Sequence, residues 1–243
     1  MAHSKKETIT IGWCDNGMVE GRFADGLINT IMTCDKENVK FVNKLRVNGN
    51  QIGRQRQVLF DNWADNIKSD WLLWVDSDIV LTPAVFKTIW ETADKLSKPV
   101  VTGVYFVSKE NERSLMQPFP AVFNQGSNEH ELVIIHPLPE NQVIKVDSAG
   151  FGLTLMHKSI IDPIRAVEPD YSLFAEKEGL GDKYISEDIV FFRKLKKAGI
   201  PLYAHTGATV PHMKRFSFDE AYYDAFNKGK TPPPLLHSKK RKK

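Results

Sequence analysis

Hydrophobic positions fall into alternating strand-like and helix-like groups through the first half of the chain. Thr8 to Cys14 alternates and is rich in β-formers, which predicts a first strand. Arg22 to Thr33 places Phe23, Leu27 and Ile31 at helical spacing. Val39 to Val47 predicts a second strand, closed by the turn Asn48-Gly49-Asn50. Asn50 is positioned to cap a helix that carries Ile52, Leu59, Trp63 and Ile67 along one side. Trp71 to Val75 is wholly apolar and reads as a buried central strand running straight into Asp76. Pro83 suits the first turn of a further helix, expected through about Leu96, and Pro99 to Phe106 predicts a fourth strand. This β-α-β-α-β-α-β order implies an α/β domain with a mostly parallel sheet and helices on both faces.

The second half is less regular. Short β-rich pieces (Ala121 to Phe123, Leu132 to Ile135, Val143 to Val146, Gly152 to Met156) lie among Pro, Asn and Gly. A helix follows Ser159, and a loop spans Glu168 to Lys183. Ser186 is a good cap for a helix from Glu187 to about Ala198, ended by Gly199 and Pro201. A short helix is expected from Phe216, then an extended linker at Thr231-Pro-Pro-Pro234. The expected division is a catalytic domain at 1–215 and a C-terminal extension at 216–243.

At 243 residues, with 42% hydrophobic and 26% charged positions, the composition is that of an ordinary soluble globular protein. No apolar stretch reaches the roughly 18 residues of a membrane helix. The polar N-terminus lacks the apolar core of a secretory signal. Two cysteines, Cys14 and Cys34, are too few for a disulfide framework, so a cytoplasmic location is the default. The net charge of +3 is concentrated at one end. Removing the five basic residues of Lys239 to Lys243 from the 33 leaves 28 against 30 acidic, a net −2. The tail therefore reads either as a solubilising end or as a contact for a polyanion.

The chemistry is densest at Asp76-Ser77-Asp78. Carboxylates just past the C-terminal end of a buried strand occupy the crevice where open α/β sheets bind ligands. If the segment stays extended, alternate residues face the same way and both carboxylates converge on one site. Hard oxygen donors of this kind suit Mg²⁺ or Mn²⁺ shared with substrate phosphates.

Here the chain resembles the GT-A glycosyltransferases, particularly family-2-like enzymes and their short phage-encoded versions. The resemblance spans roughly Thr8 to Lys214 and rests on the order of its motifs. It implies a Rossmann-like sheet and a metal-dependent transfer of sugar from a nucleoside diphosphate sugar, UDP-linked by expectation, to an acceptor hydroxyl. Asp78 would ligate the metal directly, and Asp76 would contact the ribose or the metal. His212 in Val210-Pro-His-Met213 matches the family's third metal ligand, with His205 a weaker competitor. Ser186-Glu187-Asp188 resembles the Glu-Asp motif at a helix start, which makes Asp188, with Glu187 beside it, the catalytic base of an inverting displacement. On the residues alone, the same carboxylates are routine helix-start capping chemistry.

Asp147, Gly150 and Gly152 lie in a segment resembling the acceptor side, where glycines let a backbone pass close to a ligand or mark a β-bulge. Arg54, Ser77, Trp13 and Asp15 fall on the donor side, and Lys214 with Arg215 is placed to neutralise a departing diphosphate. Acceptors compatible with the resemblance are a glycan, a lipid-linked sugar or a modified DNA base. Two rival readings stay open. A nucleotidyltransferase would carry a Gly-rich basic loop after the first strand, where this chain has the acidic Cys14-Asp-Asn-Gly-Met-Val-Glu20. A non-catalytic carbohydrate- or nucleic-acid-binding module would leave the ordered Asp-Ser-Asp, Glu-Asp and His without a role.

Overall fold

A computed structural model describes residues 7–36, 39–108, 118–128, 131–169, 172–178, 184–214 and position 227. The expected helix from Phe216, the Pro-rich linker, the basic tail and part of the 168–183 loop lie outside the described residues.

Seven strands form the central sheet: β1 (Thr8–Asp15), β2 (Lys40–Asn48), β3 (Trp71–Val75), β4 (Val100–Val104), β5 (Val143–Val146), β6 (Leu153–His157) and β7 (Leu202–Thr209). Their order across the sheet is β2-β1-β3-β6-β4-β7-β5. β1 pairs parallel with β2 and β3, and β7 with β4. β6 runs antiparallel to both β3 and β4, and β5 antiparallel to β7. The sheet is therefore mostly parallel with two reversed strands. Sequence order put Val100–Val104 directly after Trp71–Val75, whereas β6 inserts between them.

β7 was not foreseen. Its inward positions are Leu202, Ala204, Thr206 and Ala208, a buried row too small and too polar to register as a core strand. Small side chains suit it, because β7 is covered on both flanks and lies against Gly103, where an added Cβ would meet the Ala208 carbonyl at 2.9 Å.

Among the described residues five α-helices flank the sheet: α1 (Gly21–Lys36), α2 (Ile52–Asp61), α3 (Pro83–Thr92), α4 (Ile161–Ala166) and α5 (Glu187–Lys197). The period-two alternation of β3 divides the core. Leu72 and Trp74 join Phe60, Trp63, Phe151, Phe174 and Phe191 under α2 and α5. Trp71, Leu73 and Val75 join Phe23, Leu27, Phe86 and Ile89 under α1 and α3. Each face buries an aromatic-rich cluster, which near 25 cal/mol per Å² of apolar area is the main force holding helices to sheet.

α3 stops at Thr92, four residues short of the expectation. Asp94 Oδ1 accepts from the N–H groups of Leu96 and Ser97 and from Ser97 Oγ at 2.8–3.1 Å, closing a turn that leaves Leu96 81% exposed. α2 runs on through a π-helical turn at Asn62–Ile67, closed by Lys68 in the left-handed region. The wider turn keeps Trp63 buried with its Nε1 donating to Ser69 Oγ at 3.0 Å.

Candidate active site

The Asp76 N–H donates to the Gly152 carbonyl at 2.9 Å, carrying the β3–β6 register one residue past β3. The Ile79 N–H then donates back to the Asp76 carbonyl at 3.0 Å, so Asp76-Ser77-Asp78 is a turn and not an extended segment. The two carboxylates consequently diverge. Asp76 turns inward, where Trp74 Nε1 donates to it at 3.2 Å and Arg56 Nη2 contacts its oxygens at 3.0 and 3.3 Å. Asp78 turns outward to His212 and Lys214.

His212 reaches Asp78 because residues 210–214 run antiparallel along residues 78–80. Met213 N–H donates to the Asp78 carbonyl at 2.8 Å and Val80 N–H to the Pro211 carbonyl at 3.0 Å. The ring stands edge-on to Tyr105 with centroids 4.9 Å apart. His212 Nδ1 lies 3.0 Å from the Phe106 carbonyl, which can only accept, so Nδ1 carries a proton. Nε2 lies 3.2 Å from Asp78 Oδ2, and Lys214 Nζ lies 3.1 Å from the same oxygen. Burial opposes ionisation of Asp78, yet His212 and Lys214 together hold its carboxyl below the ordinary value.

With Nδ1 protonated, Nε2 either donates a proton to Asp78 Oδ2 or turns a lone pair toward it. Two acceptors this close need a proton or a cation between them. The donor set, one imidazole nitrogen and one carboxylate oxygen, fits a divalent ion such as Mn²⁺. Asp76 does not complete it. Among the described residues no three or more His, Cys, Asp or Glu side chains gather as a metal site. The expected trio of Asp76, Asp78 and His212 is thus two groups, with Asp76 committed to Arg56. His205, the competitor, sits in β7 with its Nδ1 accepting from Gly207 N–H.

Asp78 opens on a groove of about 340 Å³ lined by Asn16, Met18, Val19, Ser77 and Lys214 among others. Glu20 N–H donates to the Ser77 carbonyl at 3.1 Å and draws the loop after β1 to this edge. The neighbouring Asp15 is not free to meet a ligand. Arg46 grips it at 2.6 and 2.8 Å, and Trp13 Nε1 and Gly17 N–H donate to it at 3.0 and 2.8 Å. Arg46 chiefly holds its carboxyl below the ordinary value. Trp13 is buried against Phe23. Asp15 thereby anchors the start of the loop whose Asn16, Met18 and Val19 line the groove.

The helix-start carboxylates divide as well. Glu187 is buried, with Oε1 2.8 Å from Arg56 Nη1, and burial outweighs that cation in holding its pKa above the usual value. Asp188 is half-buried. Its Oδ1 accepts from Ile189 N–H at 2.7 Å and from Ser186 Oγ. Ser186 therefore occupies the N-cap by backbone geometry while its hydroxyl donates to Asp188 and makes no side-chain cap.

Tyr105 lies between these groups. Burial, reinforced by the charges of Asp76 and Asp188, pushes its phenol well above the usual value. Gly150 and Gly152 serve this ring: a Cβ on Gly150 would collide with the Tyr105 hydroxyl, and one on Gly152 would lie 2.8 Å from its Cε1. The close approach anticipated at these glycines is made by Tyr105. Asp147 lies elsewhere. Its oxygens are taken by Lys196 at 2.7 Å and Gln125 N–H at 2.9 Å, and it lines a separate pocket of about 140 Å³ with Phe192 and Pro201.

Arg54 is exposed on α2, and the arginine that enters the site is Arg56, 4% exposed. The signal was in the pattern: Arg56 follows Ile52 by four and precedes Leu59 by three, on the apolar side of the helix. A lone cation there requires buried partners. Gly53 lets α2 approach, because a Cβ would meet the Phe174 carbonyl oxygen and lie 3.4 Å from Glu187 Cβ. Arg215 lies outside the described residues.

No family model and no curated protein matches the chain. Similarity appears in solved structures. A crystal structure of A197 from STIV superposes with a TM-score of 0.52 at 18% identity, over 85% of this chain and 86% of that one. A crystal structure of GalNAc-T7 with UDP, GalNAc and Mn²⁺ gives 0.50 at 9% identity, over 87% of this chain and 44% of that one. This chain thus spans less than half the length of that second protein. A structure of the inositol-1-phosphate CTP transferase from T. maritima matches more loosely, at 0.44 and 12% identity over 90% and 95% of the two chains. At these identities the likeness is one of fold: a mixed α/β architecture with a large, mostly parallel sheet flanked by helices. Among the described residues no helix is long and apolar enough to cross a membrane.

Proposed function

We propose that this chain is a metal-dependent glycosyltransferase of GT-A type, with residues 1–215 as its catalytic domain. The observation that carries the reading is the His212–Asp78 pair, an imidazole nitrogen 3.2 Å from an oxygen of a carboxylate that lines an open groove. These two residues would hold Mn²⁺ or Mg²⁺, and the bound ion supplies charge stabilisation for a diphosphate leaving group. Two protein ligands suffice where nucleotide phosphates and water complete the shell. Lys214, exposed beside Asp78, adds a cation at the same lip. Ser77 and the loop from Asn16 to Glu20 form the donor wall. Asp188 is the base: it is solvent-accessible where Glu187 is buried and committed to Arg56. It would take the proton of an acceptor hydroxyl in a single inverting displacement. GalNAc-T7, crystallised with UDP, GalNAc and Mn²⁺, supports a UDP-linked donor and a divalent ion.

The test is calorimetric titration of UDP into the full chain with and without Mn²⁺, alongside hydrolysis of candidate UDP-sugars. Asp78→Ala is expected to abolish the Mn²⁺-dependent part of UDP binding with the fold intact. Unchanged metal-dependent affinity in the variant would remove Asp78 from the site and the reading with it.

A further inference from the structure

Arg56 stands where the two carboxylate-bearing segments of the site meet. One arm of its guanidinium spans both oxygens of Asp76 at 3.0 and 3.3 Å, and the other lies 2.8 Å from Glu187 Oε1. The Phe151 ring, 4.9 Å away, supports the guanidinium from one side. Burial alone would disfavour its charge, and Asp76 and Glu187 outweigh that penalty. Its Nε is buried without a hydrogen-bond partner among the described residues. The guanidinium thus ties two segments of the site together, the turn after β3 and the first turn of α5.

We propose that Arg56 is a positioning residue for the proposed transfer, acting in two directions. By claiming both oxygens of Asp76 it keeps that carboxylate out of the metal's coordination shell, which leaves Asp78 and His212 as the protein ligands. By gripping Glu187 it holds the first turn of α5, and Asp188 on it, against the same site. The inference rests on the reading of the site given above.

The electrostatics require such a cation. Asp76, Glu187 and Asp188 all act on Arg56, and Asp76 and Asp188 both act on the buried Tyr105 phenol. Without the guanidinium these carboxylates repel one another across a poorly solvated space. The first turn of α5 is then free to move outward. Asp76, two residues from Asp78, would then be an uncommitted hard-oxygen donor able to join Asp78 and His212 in holding a divalent ion. A shell with one more protein carboxylate binds the ion more tightly and leaves it less charge to lend to a leaving group.

The deciding measurement is Mn²⁺ binding to the full chain in the presence of UDP. Water-proton relaxation, which reports the waters in the ion's inner shell, is read together with affinity and UDP-sugar hydrolysis. Arg56→Gln is expected to lose one inner-shell water and to bind Mn²⁺ roughly tenfold more tightly, while turnover falls by about tenfold or more. Adding Asp76→Asn to that variant returns the water count and affinity to wild-type values without restoring turnover. Arg56→Gln strands the buried Glu187 and the half-buried Asp76, so Glu187→Gln serves as a second variant that leaves the Asp76 contact alone. It is expected to lower turnover with both metal readouts unchanged. A folded Arg56→Gln chain with wild-type relaxation and affinity overturns the metal-restricting role, and full turnover in Glu187→Gln overturns the role at α5. Absence of any Mn²⁺-dependent UDP binding in the wild-type chain overturns the functional reading itself, and the role of Arg56 with it.

Discussion

Gly150→Ala separates a glycine that seats a protein side chain from one that makes room for a ligand. The Gly150 backbone lies outside the left-handed region, so alanine meets no conformational penalty there and the cost is steric. The added methyl collides with the Tyr105 hydroxyl and comes within 2.6 Å of its Cζ. Tyr105 is 7% exposed and cannot swing into solvent. Overpacking of this kind costs about 1–3 kcal/mol. For a chain of this size that lowers Tm by about 2–12 °C. The strain is transmitted to function, since Tyr105 stands against His212. Mn²⁺-dependent UDP affinity is therefore expected to fall with stability.

Urea denaturation of Gly150→Ala, Tyr105→Phe and the double variant closes the cycle. Removing the phenol oxygen relieves the worst of the clash, so the double variant should be more stable than the sum of the singles by at least about 0.5 kcal/mol. Additive effects within error, or a Gly150→Ala chain as stable as the wild type, would refute the seating role.

Asp188→Asn is expected to lower turnover roughly a hundredfold or more while UDP binding stays near wild type. Loss of its contacts at the helix start should cost about 1 kcal/mol or less, read by thermal denaturation. A drop in turnover that only follows the folded fraction would make Asp188 a capping residue. Asp15→Asn tests the Asp15–Arg46 ion pair through pH. The native carboxyl is held below the ordinary value chiefly by Arg46, so its contribution is present above the unfolded pKa of about 3.9 and is lost as pH falls through the native one. The variant should be less stable than wild type at pH 7, with the two curves converging as pH drops below about 4. A stability gap that is constant with pH would show that the Asp15–Arg46 ion pair contributes nothing.

What the sequence determined by itself was whatever depends on local pattern. Trp71 to Val75 could only be a buried strand, because five apolar residues with two tryptophans have nowhere else to go. Val143–Val146 and α5 fall where alternation and helix-start chemistry put them. The order of carboxylate and histidine motifs pointed to a fold class that the sheet and its flanking helices show. The tertiary structure decided whatever depends on partners distant in the chain. Two insertions in the sheet, antiparallel β6 between β3 and β4 and small-residue β7 beside β4, are set by packing against strands that no local window contains. The split of Asp76 from Asp78 follows from one turn and from an arginine on another element, not from the spacing of the carboxylates. Arg54 and Arg56 differ in sequence only in their helical phase relative to Ile52 and Leu59. Rotation about the α2 axis sends the first to solvent and the second inward, where a charge persists only because Asp76 and Glu187 wait on segments brought there by the fold.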